Sequence, residues 1–265
     1  MNKVLLYALA TLSILGAFTL TYAGDSTLTK IVQTKELKVG MELGCIPFEM
    51  KDKHGNIIGF DIDLVKDMAK AINVKPIFIP TDWDGIIPSL ITGKFDMIVS
   101  CMAITPERNT QVNYTDAYLD SGISFVKQLK HKETTIKDLD KSTTIIGAKL
   151  GETSELVARK LFKKAKIMTY DSVDAMNMDA LTNKIDGFMY DKPGNDIFML
   201  TKGKDKLSYD GKAISYEPIA IAIRKGDPDF MNFLNNYLKI FIKDGTQEKL
   251  YDYWFKNSDW HKKVF

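Results

Sequence analysis

Short apolar runs alternate with amphipathic stretches along most of the chain. Leu37–Met41, Lys75–Ile79 and Phe95–Cys101 are rich in strand-forming residues, and Asp63–Ile72 and Gly85–Ile91 lie between them. The two intervening stretches place apolar side chains three and four positions apart, as one face of a helix requires. This order of strands and helices predicts an α/β sheet.

The second half of the chain repeats this alternation. Strands are predicted at Thr144–Ala148, Lys166–Thr169 and Gly187–Tyr190, and helices at Ser154–Phe162 and Ser172–Leu181. Two α/β units in one chain predict two lobes with a cleft between them. Ligands of open α/β sheets bind beyond the carboxyl ends of the strands, so the residues that follow each strand are the first candidates for a site.

Two β-rich segments, Ser121–Gln128 and Ala213–Arg224, stand between the halves and are predicted to carry the chain from one lobe to the other. The chain then continues in helices. One apolar stripe with helical spacing is predicted to be core, and it consists of Phe230, Phe233, Leu234, Tyr237, Leu238 and Phe241.

The N-terminus has the anatomy of a secretory signal peptide. Lys3 supplies positive charge, Val4 to Leu20 is mostly apolar, and Thr21-Tyr22-Ala23 is typical of a cleavage site. The alternative is an uncleaved membrane anchor, although the apolar run is short for one, because spanning needs about 20 residues. No cysteine follows the cleavage site, which argues against a lipid anchor there. We therefore expect export to the periplasm.

Composition narrows the classes of function. The 265 residues include 36 Lys and Arg against 34 Asp and Glu, and the basic residues are scattered rather than clustered, so a nucleic-acid partner is not expected. The chain has two cysteines, Cys45 and Cys101, whose spacing shows no metal-binding pattern. Export permits a disulfide, but the sequence leaves open whether the two thiols are linked or free. We expect no metal or other cofactor.

A positive and a negative residue follow predicted strands of opposite halves. Arg108 comes after Phe95–Cys101, and a guanidinium binds a carboxylate through two parallel hydrogen bonds. The backbone N–H groups of residues 101 and 103 are further candidate donors. Asp191 directly follows Gly187–Tyr190 and is a candidate partner for an ammonium group. The plainer alternatives are a surface arginine and a turn aspartate.

Other residues near strand ends are secondary candidates. Glu42 and Cys45 follow the first strand, and Trp83 is an aromatic residue that either stacks on a ligand or packs in the core. Gly151 and Thr153 lie where a loop enters a helix, so their N–H groups either bind an anion or belong to an ordinary helix cap.

Several segments, taken in order, resemble the polar amino-acid-binding proteins of ABC importers (solute-binding protein family 3). The segments are Gly59-Phe60-Asp61-Ile62-Asp63-Leu64, Trp83-Asp84-Gly85-Ile86-Ile87-Pro88, Asp96-Met97-Ile98-Val99, Ile104-Thr105-Pro106-Glu107-Arg108 and Asp186-Gly187-Phe188-Met189-Tyr190-Asp191-Lys192-Pro193. The resemblance covers essentially the whole mature chain.

This resemblance implies an α/β, two-lobe periplasmic-binding-protein-like fold. Each lobe is expected to be a mixed sheet flanked by helices, and two crossing strands are expected to join the lobes. The predicted divisions are a signal peptide at 1–23, lobe 1 at 24–121 and 218–265, and lobe 2 at 122–217.

The resemblance also implies roles for individual residues. Arg108 would bind the ligand α-carboxylate and Asp191 the α-amino group, while Trp83 would be the stacking aromatic. Glu42 stands where the family usually has an aspartate that contacts the ligand side chain.

Three positions depart from the family pattern. Cys45 replaces a usual aromatic residue, Cys101 a small or hydroxyl residue, and Ala103 a serine or threonine, so one hydroxyl contact to the ligand carboxylate is missing.

The charges favour one class of ligand. Glu42 and Glu152 add negative charge, which favours a cationic side chain such as that of lysine, arginine or histidine, and leaves glutamine-like ligands open. An acidic ligand is disfavoured, because Lys149 is the only spare basic residue placed to neutralise it.

The expected function is capture of a free L-amino acid and its delivery to the membrane permease of an ABC transporter, by a monomer. The alternatives are a cyclohexadienyl-dehydratase-like enzyme, with Glu42 or Glu152 as general acid, and a ligand-sensing domain.

Overall fold

The computed structural model describes residues 26–265, which form two five-stranded sheets flanked by helices. The predicted signal peptide, residues 1–23, lies outside the described residues. Between residues 26 and 265, no helix has the length and apolar character needed to cross a bilayer.

The strands, in chain order, are β1 (Glu36–Met41), β2 (Met50–Lys51), β3 (Ile57–Ile58), β4 (Lys75–Pro80), β5 (Met97–Ile98), β6 (Asn113–Tyr114), β7 (Leu119–Ser121), β8 (Ile123–Gln128), β9 (Ile145–Lys149), β10 (Lys166–Tyr170), β11 (Gly187–Asp191), β12 (Leu207–Ala213), β13 (Glu217–Ile219) and β14 (Ala222–Ile223).

The α-helices are α1 (Thr27–Thr34), α2 (Phe60–Ala71), α3 (Trp83–Ile91), α4 (Pro106–Asn109), α5 (Ile136–Leu139), α6 (Thr153–Leu161), α7 (Val173–Leu181), α8 (Lys192–Phe198), α9 (Pro228–Lys243), α10 (Thr246–Tyr251) and α11 (His261–Val264). One 3₁₀ turn (Leu129–His131) and two π segments (Met199–Gly203 and Asp252–Lys256) complete the helical structure.

The two sheets have matching topology. Lobe 1 has the order β4-β1-β5-β14-β6, and lobe 2 has the order β10-β9-β11-β8-β12. In each sheet the first three strands are parallel, and the strand beside the third is antiparallel to it. Both lobes are therefore mixed sheets, as predicted.

The lobe 2 sheet carries apolar side chains on both of its faces. Along β8, Ile123 and Phe125 contribute to one hydrophobic cluster and Val126 to the opposite one. Along β11, Met189 joins the first cluster and Phe188 the second. Since side chains alternate across a strand, α6 covers one face of the sheet and α7 covers the other.

The predicted helical stripe near the end of the chain is confirmed as core. Helix α9 buries Phe230, Leu234, Tyr237, Leu238 and Phe241, with Phe233 partly buried beside them. The stripe packs into the largest hydrophobic cluster of lobe 1.

Two local predictions were wrong. The buried run Phe95–Cys101 forms a strand only at Met97–Ile98, although Val99 N–H still donates to Gly40 O at 3.2 Å. The backbone of Cys101 has φ +40°, which turns the chain away from the sheet. Helix α3 begins at Trp83 after Asp82, two residues before the predicted start at Gly85.

The chain passes between the lobes at the antiparallel pair of β7 and β13, in which Ser121 lies opposite Glu217. Gly122 follows β7, and a Cβ atom at this position would lie 2.3 Å from Ser215 O. Only glycine fits this crossing. The exact limits of the lobes, at residues 121/122 and 217/218, stay a prediction.

We predict that Gly122→Ala destabilises the protein by about 1–3 kcal/mol, because the added methyl group has to displace backbone. Gly85→Ala is the matched control: an added Cβ meets nothing within 4 Å, and alanine favours the helix by up to about 1 kcal/mol. Thermal unfolding of both variants measures the difference. Equal melting temperatures for the two variants would show that the crossing has room for a side chain.

Candidate functional site

The carboxyl ends of the strands in the two lobes face each other across a closed cleft. Lys149, the last residue of β9, reaches Glu42 beyond β1, with Nζ 3.0 Å from Oε1. Their side chains are 5% and 23% exposed. Burial raises the pKa of Glu42, and the Lys149 ammonium opposes that rise. Two of the predicted site residues therefore form an ion pair between the lobes.

Trp83 and Arg108 also reach from lobe 1 to lobe 2. Trp83 Nε1 donates to Gly151 O at 3.1 Å, and Arg108 Nη2 donates to the same oxygen at 3.3 Å. Arg108 Nη1 donates to Ala103 O at 3.0 Å, and the guanidinium carbon lies 5.0 Å from the centre of the Trp83 ring. Trp83 thus stacks on Arg108, in a cation–π contact.

Local sequence explains where Arg108 stands. Thr105 caps α4, and its hydroxyl accepts the Arg108 N–H at 3.1 Å, while Pro106 occupies the first helical position. Proline is favoured there because its missing N–H has no partner in a helix anyway. This short helix fixes the guanidinium at the cleft.

A small cavity lies between the lobes. It is lined by Trp83, Cys101, Ala103, Arg108, Glu152, Thr153 and Asp191. All seven were predicted from the sequence. The other three predicted residues lie around it: Glu42 and Lys149 form the ion pair, and Cys45 Sγ is 4.0 Å from Asp191 Oδ2.

Two buried carboxyl groups of lobe 2 border this cavity. Asp191 and Glu152 are 8% and 7% exposed. Burial raises the pKa of Asp191 to about 7, with the Glu217 carboxylate adding to the rise and Arg108 opposing it. Burial also raises the pKa of Glu152 well above its usual range, and Asp191 raises it further. Neither carboxyl has an ion-pair partner among residues 26–265.

Cys45 and Cys101 are joined by a disulfide, which answers the question that the sequence left open. The bond connects the loop after β1 to the loop after β5. The two sulfurs and a Glu49 oxygen lie within 4.8 Å of one another, a grouping that free thiols would make suitable for a metal ion. Because the sulfurs are bonded to each other, they are not thiolate ligands here.

Two of the backbone donors predicted for an anion are already engaged. Cys101 N–H donates to Asp61 Oδ2 at 2.8 Å, and Gly151 N–H donates to Glu155 Oε2 at 2.8 Å. The other two N–H groups that the sequence predicted as donors to an anion belong to Ala103 and Thr153, and these two remain candidates for binding a ligand.

Sequence reasoning missed a buried polar network behind the lobe 1 wall. Asp61 Oδ1 accepts the Tyr118 hydroxyl at 2.8 Å, next to β7. Ser100 donates to Glu49 Oε1 at 2.8 Å and accepts the Glu42 N–H at 2.9 Å. The feature of the sequence that could have indicated this network is Asp61, an acidic residue between Phe60 and Ile62 at the start of a helix.

Glu49 and Asp61 form a fully buried acid pair. Burial raises the pKa of Asp61 to about 6, and burial together with the Asp61 charge raises that of Glu49 further. Glu49 Oε2 accepts no N–H or O–H in this interior. A proton on Glu49 can be donated to Asp61, so we infer that the folded pair holds a proton more tightly than the unfolded chain does.

The acid pair predicts how stability depends on pH. The folded-state pKa values lie above the unfolded ones, so the folded protein binds the proton more tightly, and this stabilisation is lost as the pH rises through about 6 and above. We predict that the melting temperature of the ligand-free protein falls as the pH rises from about 4, near the unfolded pKa values of the two acids, to about 6 and above.

Glu49→Gln supplies the control, because its amide donates to Asp61 without titrating. This variant should show a smaller fall in melting temperature over the same range. A fall as steep as that of the wild type would contradict the shared proton.

Comparison with known proteins identifies the family. Residues 37–257 match the profile of the bacterial extracellular solute-binding proteins, family 3, and the chain belongs to this family. It is 28% identical over 255 residues to the L-cystine-binding protein TcyJ of Escherichia coli (strain K12), with 96% of this chain and 95% of that protein covered.

Solved structures agree with the fold. The binding component of an ABC transporter from Wolinella succinogenes DSM 1740, crystallised with lysine, is 44% identical with a TM-score of 0.84, covering 86% of this chain and 99% of that one. The ancestral amino-acid-binding protein AncCDT-1, described as a precursor of cyclohexadienyl dehydratase, is 39% identical with a TM-score of 0.80, covering 87% and 99%. The two-lobe fold predicted from the sequence is confirmed.

Proposed function

We propose that this protein binds one free L-amino acid with a cationic side chain between its lobes and delivers it to an ABC importer. The observation that carries the proposal is the pair of buried carboxyl groups, Asp191 and Glu152, which border the same cavity as Arg108.

Arg108 is the proposed partner of the ligand α-carboxylate. A guanidinium has five N–H donors, and within residues 26–265 its terminal nitrogens form two hydrogen bonds, to Ala103 O and Gly151 O. Ala103 and Thr153 line the same cavity, and their N–H groups would add donors to the carboxylate. Ala103 has no hydroxyl, so backbone takes the place of the side-chain contact usual in the family.

Asp191 is the proposed partner of the α-ammonium group. Its carboxyl is buried at the end of β11, and its raised pKa reflects the cost of holding a negative charge there without a counter-ion. A ligand ammonium would offset this cost, while Arg108 on the other lobe holds the carboxylate. The zwitterion would then join the two lobes.

The carboxyl group that stays unneutralised determines which ligand side chain is favoured. Lys149 already neutralises Glu42 at 3.0 Å, and the α-ammonium would neutralise Asp191. Glu152 remains as a buried carboxyl with no ion-pair partner in the described part of the chain, and a cationic side chain would satisfy it. The lysine present in the Wolinella succinogenes structure supports this class of ligand. A glutamine-like ligand, donating amide hydrogen bonds to Glu152, is the less favoured alternative.

Family membership supports the proposed delivery step. We propose an exported, periplasmic protein that acts as a monomer, closes by a hinge motion at β7 and β13, and presents its closed form to a membrane permease. The lobes proposed to move are residues 24–121 with 218–265, and residues 122–217.

One observation favours the enzyme alternative. Glu152 is buried in the closed cleft with a raised pKa, as a general acid requires, and AncCDT-1 is described as a dehydratase precursor. Binding is favoured because the matched family consists of solute-binding proteins. Turnover of a prephenate- or arogenate-type substrate would support the enzyme instead.

The proposed function predicts the outcome of a ligand screen. Thermal-shift and calorimetric titration against the twenty amino acids should show tight binding of lysine, arginine or histidine. Arg108→Glu should abolish that binding, because the charge reversal repels the ligand carboxylate. No response of the wild-type protein to any amino acid would refute the proposal, and retained affinity in the variant would refute the role of Arg108.

The role proposed for Glu152 predicts a preference for basic over neutral amino acids. Glu152→Gln should weaken binding of basic amino acids by about tenfold or more, since a charge-assisted contact is lost, and should affect glutamine much less. Glu133→Gln, the same change at an exposed position of lobe 2, is the control and should leave affinities unaltered. Equal losses for basic and neutral ligands in Glu152→Gln would contradict the assigned selectivity.

A further inference from the structure

The disulfide sets the distance between two loops that form the lobe 1 wall of the cavity. The loop after β1 is a tight turn, in which Cys45 O accepts N–H groups from Phe48 at 2.7 Å and Glu49 at 3.0 Å. The loop after β5 is held separately, because Cys101 N–H donates to Asp61. Each loop is ordered by its own hydrogen bonds, and the bond between Cys45 and Cys101 joins them.

Lobe 2 covers this disulfide. Cys45 Sγ lies 4.0 Å from Asp191 Oδ2, and Cys101 lines the same cavity as Asp191. The two cysteines are 7% and 8% exposed in this closed arrangement. Asp191 belongs to β11 of lobe 2, so separation of the lobes removes the cover. A small reductant in solution then meets the sulfurs at the open cleft.

Breaking the bond would move a wall of the cavity. Two sulfurs that are no longer bonded separate to van der Waals contact, roughly 3.5–4 Å. Side-chain rotation or a shift of one loop has to provide more than an ångström, roughly the difference between bonded and non-bonded contact. Ala103 and Arg108 follow Cys101 closely in the chain, so release of the Cys101 loop would displace groups proposed to hold the ligand carboxylate.

The surroundings favour neutral thiols once the bond is open. The Glu49 carboxyl lies within 4.8 Å of both sulfurs, and the Asp191 carboxyl lies beside Cys45. Neighbouring acidic groups and burial both disfavour a thiolate. The two neutral thiols therefore provide no charge that would hold the loops together.

We propose that the Cys45–Cys101 disulfide is a reduction site gated by the ligand: small dithiols open it when the lobes are apart, and its opening weakens amino-acid binding. In this exchange the two thiols of the reductant become a disulfide, and the two cysteine sulfurs gain two electrons and two protons. The proposal rests on the proposed function, because a bound amino acid is what keeps the lobes closed over the disulfide.

The first arm of the test measures the rate of reduction. Wild-type protein is treated with dithiothreitol, and newly exposed thiols are alkylated and counted by mass spectrometry. Lysine at about a hundred times its Kd should slow reduction by about a hundredfold, because only the ligand-free protein opens. An amino acid that fails to bind in the screen is the control and should have no effect. A rate unchanged by lysine would overturn the gating.

The second arm measures affinity. Reduction of the wild type should raise the calorimetric Kd for lysine by about tenfold or more. The chain has only two cysteines, so a thiol-specific effect must act through this pair. The Cys45→Ser/Cys101→Ser double variant should match the reduced wild type and ignore dithiothreitol.

The outcomes separate the two proposals. Equal lysine affinity before and after reduction would overturn the redox proposal and leave the proposed function intact. Absence of amino-acid binding in both the oxidised and the reduced protein would overturn the proposed function, and the redox proposal with it.

Discussion

Closure of the two lobes buries more carboxyl groups than the site has cations to neutralise them, and the organisation of the cleft depends on this imbalance. Lys149 pairs with Glu42 across the interface, and Arg108 is stacked on Trp83. Asp191 and Glu152 are left with raised pKa values. A closed cleft in this state favours a cation, and an amino acid with a basic side chain brings two positive groups and one negative group.

The lobe 1 wall is built to hold its shape while the lobes move. Asp61 ties the Cys101 loop to Tyr118 beside the crossing strand, and Ser100 ties Glu49 to the Glu42 backbone. The disulfide joins the two loops in front of this network. Because every link is internal to lobe 1, this wall can remain fixed while Asp191 and Glu152 approach with lobe 2.

Much of this arrangement could be predicted from the sequence, because it depends on local rules. Apolar spacing gave the strands and helices, and the rule that ligands lie beyond strand ends led to Arg108 and Asp191. The pairing of Lys149 with Glu42 and of Glu49 with Asp61 could not be predicted, because each pair joins residues that only the fold brings together. The run Phe95–Cys101 looked like a long strand, since apolar pattern does not reveal the positive φ of Cys101. Cysteine spacing likewise does not reveal whether the two thiols are linked or free.

The central claim is that one amino acid joins the lobes through Arg108 on one side and Asp191 on the other. A crystal structure of the protein grown with L-lysine tests this most directly. We expect the lysine α-carboxylate within hydrogen-bonding distance of Arg108, the α-ammonium at Asp191, and the ε-ammonium directed at Glu152. Lysine bound outside this cleft, or bound in it with its ammonium groups away from both carboxylates, would contradict the account.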